Sequence, residues 1–160
     1  MGFDLKAYLE YTQSEQYELF ANIRIPRNYG LFAALTGGRV EPDAPTQSKG
    51  LPAALSFHTL YAEEGSLIEI DDGKYSEWGG DIYCRHQDIE RLISSRRFKQ
   101  LDELHLGGDI MAPNWLTSQE TEQTYAAYLA AQEPTSKVMQ ATIEAMRWLP
   151  NARLVVWLTP

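Results

Sequence analysis

The chain has 160 residues, of which 44% are hydrophobic, and it carries a formal net charge of −8. This length and composition predict a single folded domain with a hydrophobic core and exclude a disordered chain. The negative charge repels a phosphate backbone, which excludes general nucleic-acid binding, and no apolar run is long enough to span a bilayer.

Three segments have the patterns of β-strands. Apolar and polar residues alternate over 3–11 and again over 17–25, which is typical of half-buried strands joined by a short hairpin loop. Residues 153–158 are apolar on both faces, which indicates a central strand covered on both sides. We therefore predict one α+β domain over 1–160, with these strands in a mixed or antiparallel sheet and helices packed on it.

The most distinctive stretch of the sequence, residues 27–39, predicts a short helix with charged and aromatic residues at its ends. Asn28 can cap the first turn, and Gly37 can end the helix in a left-handed conformation. Arg27, Tyr29 and Arg39 flank this helix. They are either solvated residues at the ends of a core helix or the rim of a binding site.

Two features are predicted in the middle of the chain. Residues 40–50 are loop by composition, and a loop of this length is either flexible or functional. Further on, Asp72-Gly73 predicts a tight hairpin turn between strand-like segments at 66–70 and 74–78.

Helical periodicity returns in the second half of the chain. A helix begins after Asp88, and its apolar stripe continues through Phe98 to His105, before Gly107-Gly108. Residues 109–117 predict a compact turn, after which Thr117 begins a helix at a capping box. The proline Pro134 is predicted to begin the last helix.

The sequence contains no glycine loop, zinc motif or nucleophile elbow, so we predict no cofactor and no metal site. The single cysteine, Cys84, cannot form an internal disulfide and indicates a reducing cytoplasm. An enzymatic alternative is a metal-dependent hydrolase or nuclease whose histidines and carboxylates converge in space, with Cys84 beside His86 on one strand face. Its candidate residues are His58, His86, His105, Asp71, Asp81 and Asp109.

Five segments, in order along the chain, resemble a family of uncharacterised bacteriophage and prophage proteins. Residues 1–10 are similar to its Met-Gly-x-Asp-Ile-His start, and 27–39 to its Arg-x-Tyr-x-Leu-Phe-Ala-x-Leu-x-Gly-x-Arg segment. Residues 50–52 resemble Arg-Gly-Leu-Pro, 109–117 resemble Asp-x-His-Ser-x-Ser-Trp-Leu-Thr, and 153–158 resemble Val-Arg-x-Val-Phe-Trp-Phe.

Two departures from the family pattern concern histidine. Lys6 stands where the family has its early His, and Met111-Ala112 stand where it has His-Ser. A histidine-based activity at those two positions is therefore not carried over to this chain. Because the family is uncharacterised, the resemblance implies a viral origin rather than a particular reaction.

The residues that remain matched form our candidate ligand site. They are Arg27, Tyr29, Arg39, Asp109 and Trp115. Two arginines can grip phosphate oxygens in bidentate fashion, and a tyrosine or tryptophan ring can stack on a base. A small anionic ligand such as a nucleotide signal, held without being converted, would suit this set.

Taken together, the patterns favour a non-enzymatic accessory protein of a phage, acting in the cytoplasm of the host bacterium. We expect it to bind a host component, as a counter-defence factor. The acidic surface and the loop over 40–50 would then contact a host protein. The alternative is a protein that sequesters a small anionic ligand such as a nucleotide signal. The sequence leaves the oligomeric state open.

Overall fold

The computed structural model describes residues 2–37, 48–52, 55–56, 59, 68–70, 75–76, 98–100 and 111–160. The larger sheet contains β1 (Asp4–Tyr11), β2 (Glu18–Asn22), β6 (Met111–Thr117) and β7 (Arg153–Thr159). Its order is β2-β1-β7-β6, with every neighbouring pair antiparallel. The smaller sheet contains β3 (Ile68–Ile70), β4 (Tyr75–Ser76) and β5 (Phe98–Gln100), in the order β4-β3-β5.

Three helices accompany the larger sheet, namely α1 (Tyr29–Thr36), α2 (Ser118–Ala130) and α3 (Lys137–Trp148). The predicted α+β fold is confirmed, and the three predicted strands do share one antiparallel sheet. Within the ranges given above, no helix is long and apolar enough to cross a bilayer.

The central position of β7 explains its composition. This strand pairs with β1 on one side and with β6 on the other. Its first five residues are all buried. Helices cover one face of the strand, and the side chains on its opposite face are buried too. Trp157 and Tyr8 contact each other on that opposite face, with ring centroids 5.2 Å apart.

The main core lies between the sheet and the helices. Alternate residues of β1 and β7 point toward the helices, as the period of two requires. The helices present residues at spacings of three and four to meet them. The principal members of this core are Leu5, Ala7, Leu9, Leu154, Val156, Leu31, Leu35, Tyr125, Met139 and Met146.

The capping residues that the sequence predicts are found at both ends of α1 and at the start of α2. Asn28 Oδ1 accepts a hydrogen bond of 3.0 Å from the Leu31 N–H, and Gly37 ends α1 with a φ of 65°. Thr117 and Glu120 form the predicted capping box at the start of α2. Each cap satisfies backbone groups that the first or last turn leaves without a helical partner.

Three predictions in the second half of the chain are wrong: the turn over 109–117, the helical stripe through Phe98, and the start of the last helix. The predicted turn over 109–117 contains strand β6, because Leu116 enters the core and β6 pairs with β7. Pro113 is tolerated because β6 is an edge strand with a register irregularity between Met111 and Asn114. The helical stripe does not reach Phe98, which belongs to strand β5.

The last helix begins three residues after the predicted proline. Ser136 is the N-cap of α3, and its Oγ accepts a hydrogen bond of 3.2 Å from the Met139 N–H. The Ser136 N–H in turn donates to the Tyr125 hydroxyl at 2.8 Å. A serine with both partners in place defines the start of the helix better than Pro134 does.

One buried ion pair joins β1 to β7. Glu10 and Arg153 are direct cross-strand partners, and their side chains are 0% and 7% exposed. Arg153 Nε and Nη2 lie 2.9 and 2.7 Å from Glu10 Oε1. The second carboxylate oxygen accepts from the Ser56 N–H at 2.8 Å and from the Thr59 hydroxyl at 2.6 Å. Glu10 therefore attaches the segment around 55–59 to the sheet.

Replacing Arg153 by alanine is expected to destabilise the fold severely. It leaves the Glu10 carboxylate buried without its cation, which costs about 3–5 kcal/mol of the free energy of unfolding. The matched control is Arg147→Ala, which removes an exposed arginine bonded to Glu122 and Glu144 and costs at most about 1 kcal/mol. Chemical denaturation of both variants measures the difference, and equal losses would contradict a structural role for the buried pair.

Candidate functional site

A groove forms where the chain that follows β2 separates from β1. The pairing of the two strands ends with a hydrogen bond of 2.8 Å from the Ile23 N–H to the Ala7 carbonyl. Continuing the register of Tyr8 with Asn22 would place Lys6 opposite Arg24. The pairing is not continued there, and Pro26, two residues further on, has no N–H with which to extend a strand ladder.

The groove has a volume of about 870 Å³. Its walls come from the first residues of β1, the chain that follows β2 and the end of β7. The residues that line it are Asp4, Leu5, Lys6, Asn22, Ile23, Arg24, Ile25, Pro26, Arg27 and Thr159.

The lining carries three cations and one carboxylate, although the whole chain is acidic. Arg24 is exposed and forms no ion pair with any residue in the part of the chain that the structure describes. Arg27 Nη2 donates a hydrogen bond of 2.6 Å to Asp4 Oδ1, between side chains that are 52% and 66% exposed. This hydrogen bond raises the pKa of the Arg27 guanidinium, so the side chain stays cationic. An exposed pair of this kind contributes little to stability.

The floor of the groove includes an open stretch of strand edge. Backbone groups alternate in direction along a strand, so the N–H and C=O of Leu5 point to the same side as those of Ala7. Ala7 meets Ile23 there, whereas Leu5 lies in the groove and has no backbone partner on that side among the described residues. A donor and an acceptor of the main chain are therefore available beside the three cations.

Of the predicted site residues, the structure brings Arg27 and Tyr29 together. A Cβ atom on Gly2 would lie 2.6 Å from Arg27 Nη1 and 2.9 Å from the Tyr29 hydroxyl, so both side chains meet over this glycine. The Tyr29 ring also packs edge-on against Phe32, with centroids 6.2 Å apart. Tyr29 is 55% exposed, but it is not one of the residues that line the groove.

The N-terminus of α1 is not part of this site. Asn28 already accepts from the Leu31 N–H, and the Glu133 carboxylate lies against Gly30, 3.5 Å from the position of a Cβ there. That carboxylate complements the positive end of the helix dipole.

Trp115 lies apart from Arg27 and Tyr29. It pairs with Val155, which in turn pairs with Tyr8, so it is two strands and four residues away from Asp4. Ordinary strand geometry then separates the Cα atoms of Trp115 and Asp4 by roughly 15 Å. The other two predicted residues, Arg39 and Asp109, lie outside the described residues.

Trp115 belongs to a second group of contacts, centred on Lys49. Lys49 Nζ lies 3.4 Å from the centroid of the Trp115 ring and 2.8 Å from Glu120 Oε1. The Lys49 N–H donates to Asn114 Oδ1 at 2.9 Å. The end of the segment over 40–50 is therefore held against β6 and the start of α2, and one face of the Trp115 ring is covered by a cation.

The residues of the enzymatic alternative cannot be placed. They are His58, His86, His105, Cys84, Asp71, Asp81 and Asp109, and all lie outside the described residues. Across the ranges that are described, no group of three histidine, cysteine or carboxylate side chains could hold a metal ion.

The prediction from sequence did not include Lys6 and Arg24. Each is an ordinary polar position of an alternating strand, and only the hairpin register, continued by two residues, places the two near each other.

Comparison with known proteins identified no relative of this chain. Family models, curated proteins and solved structures all gave no match to the chain. The resemblance to bacteriophage and prophage proteins stays a prediction, and inference about function rests on the groove and its charges.

The contact between Lys49 and Glu120 predicts a pH dependence of stability. Partial burial raises the pKa of the Glu120 carboxyl, but hydrogen bonds from Lys49 and Thr117 and the charge of Lys49 outweigh it and lower the pKa. The stabilising contribution of the ionised carboxylate is therefore complete above the unfolded-state pKa, about 4.3. It is lost as the pH falls through the lower, folded-state pKa.

Glu120→Gln tests this contribution, because glutamine can keep the capping box while removing the charge. At pH 7 we expect a loss of up to about 1 kcal/mol in the free energy of unfolding, and the loss shrinks as the pH falls below about 4. In a Lys49→Met background the loss at pH 7 should be smaller. A loss that is the same at neutral and acid pH would show that the charge of Glu120 does not stabilise the fold.

Proposed function

We propose that the protein binds a small anionic ligand in the groove between β1 and the chain that follows β2. In this proposal it is a phage accessory protein in the host cytoplasm, and the ligand is a host nucleotide signal that it sequesters. The observation that carries the proposal is the position of two exposed arginines, Arg24 and Arg27, in the wall of one groove with a single carboxylate, in a chain of net charge −8.

Electrostatics favours an anion here despite the acidity of the whole chain. Salt screens exposed charges beyond about 10 Å, so the cations in the groove outweigh distant carboxylates. Arg24 in particular has no ion-pair partner among the described residues, so its guanidinium is accessible to an anion in the groove. Guanidinium groups suit phosphate oxygens because their donors form a planar fork.

The composition of the groove favours binding over catalysis. Its described lining contains no histidine and no cysteine, and its one carboxylate is already bonded to Arg27. A general base needs a free group within hydrogen-bonding reach of the proton that it removes. Sequestration requires only that the ligand be held.

A host protein as partner has less support from the described surface. Strand addition needs a regular free edge, but β2 and β6, the two edge strands of the larger sheet, both have register irregularities. Among the described residues, four large hydrophobic side chains are exposed: Phe3 lies just before β1, and Phe20, Tyr29 and Trp148 lie on three different elements. Single exposed apolar residues are ordinary and do not define an interface.

A thermal-shift screen against orthophosphate and mono-, di- and cyclic nucleotides tests the proposal. A compound present at 100 times its dissociation constant stabilises the fold by about 2.7 kcal/mol, which raises the melting temperature by roughly 5–10 °C. We expect at least one compound to produce such a shift, and the shift to weaken as salt is added.

Variants locate the site. Both arginines of the wall are exposed, so the double variant Arg24→Ala/Arg27→Ala should fold normally and lose the shift. Arg147→Ala removes an exposed arginine far along the chain, on α3, and should keep it. A screen without any shift would overturn the proposal, and a shift that survives the double variant would place the site elsewhere.

A further inference from the structure

Resting on the proposed function, we infer that the ligand is a nucleotide whose base presents an amino group beside a ring-nitrogen acceptor, as adenine does, and that Asn22 pairs with this edge. The groove has room for more than an inorganic anion, because its volume of about 870 Å³ lies in the range of pockets that hold a whole small-molecule ligand. The part of the ligand beyond its phosphate therefore contacts the walls of the same groove.

Asn22 and Arg24 are neighbours on the wall formed by the end of β2 and the chain that follows it. Ile23 lies between them and packs against the core, so the alternation of an extended chain turns Asn22 and Arg24 to the same, opposite side. Both residues are exposed, and both line the groove. Extended geometry separates their Cα atoms by roughly 7 Å. One side chain can therefore hold the base of a nucleotide while the other holds its phosphate.

Both of these side chains are available to a ligand. Across the described ranges, Arg24 forms no ion pair and the Asn22 amide forms no hydrogen bond. The amide brings one acceptor oxygen and two N–H donors to the groove. Arg27, by contrast, already donates to Asp4 at 2.6 Å. We therefore assign the base to Asn22 and the first phosphate contact to Arg24.

The amide of Asn22 selects bases by their hydrogen-bonding edge. A carbonyl oxygen beside an amino group forms two bonds with adenine, which has an amino donor next to the acceptor N7, whereas the same edge of guanine has two acceptors. The described lining contains no aromatic ring on which a base could stack. Recognition therefore depends on the edge of the base rather than on its face.

The experiment compares adenosine 5′-monophosphate (AMP) with three probes that carry the same phosphate group. They are 7-deaza-AMP, in which a C–H group replaces the acceptor N7, guanosine 5′-monophosphate (GMP), and ribose 5-phosphate, which has no base. Each is titrated into the full chain at pH 8 and low salt while the amide resonances are followed. We expect AMP to bind about tenfold more tightly than each of the other probes, which is the discrimination that one bidentate contact to a base provides.

Variants assign the two contacts. Asn22→Leu keeps the size of an exposed side chain and removes the amide, so it should abolish the preference for AMP and leave the affinity for ribose 5-phosphate unchanged. Arg24→Ala should weaken all the probes by a similar factor, because they share the phosphate. The matched control is Gln140→Leu, which removes an exposed amide on α3, outside the groove lining, and should keep the preference for AMP.

The outcomes separate this inference from the proposed function. If any of the other probes binds as tightly as AMP and Arg24→Ala weakens both, the groove binds anions and the inference about the base is wrong. A preference for AMP that survives Asn22→Leu also overturns the inference alone. If no probe shifts the resonances of residues 4–6 or 22–27, both the inference and the proposed function fail. A preference for AMP that Asn22→Leu removes, with all affinities reduced by Arg24→Ala, supports both.

Discussion

The described structure depends most on the buried pair of Glu10 and Arg153. It joins β1 to the central strand, and through Ser56 and Thr59 it attaches a distant part of the chain to the same sheet. Both oxygens of the carboxylate have donors, and the guanidinium also lies 3.4 Å from the centroid of the Tyr17 ring. Such a pair gives limited net stability but makes its own disruption costly, because either charge left alone in the interior is unsolvated.

The two ends of β1 have different charged neighbours. At Glu10 the cross-strand partner is Arg153, and the buried pair joins β1 to β7. At the other end, Lys6, Arg24 and Arg27 line a groove together with Asp4. The same strand thus carries a structural ion pair at one end and borders a groove with three basic residues at the other.

The candidate site was only partly predictable. Arg27 and Tyr29 stand out because they flank a helix whose caps are readable, and the structure does bring them together. Grouping them with Trp115 from the sequence required a strand order that local patterns do not contain, and Trp115 instead contacts Lys49. Lys6 and Arg24 were omitted because each is an unremarkable polar position of an alternating strand until the two strands are set in register.

By itself the sequence determined what depends on neighbours along the chain: the alternation of β1 and β2, the caps of α1 and α2, and the doubly apolar pattern of β7. These follow from side-chain period and from local hydrogen bonds. Only the tertiary structure decided that 111–117 is a strand, that the large sheet runs β2-β1-β7-β6, and that Glu10 meets Arg153 across 143 positions of chain. Those outcomes depend on which surfaces bury each other, and burial between distant segments is not encoded in any single stretch.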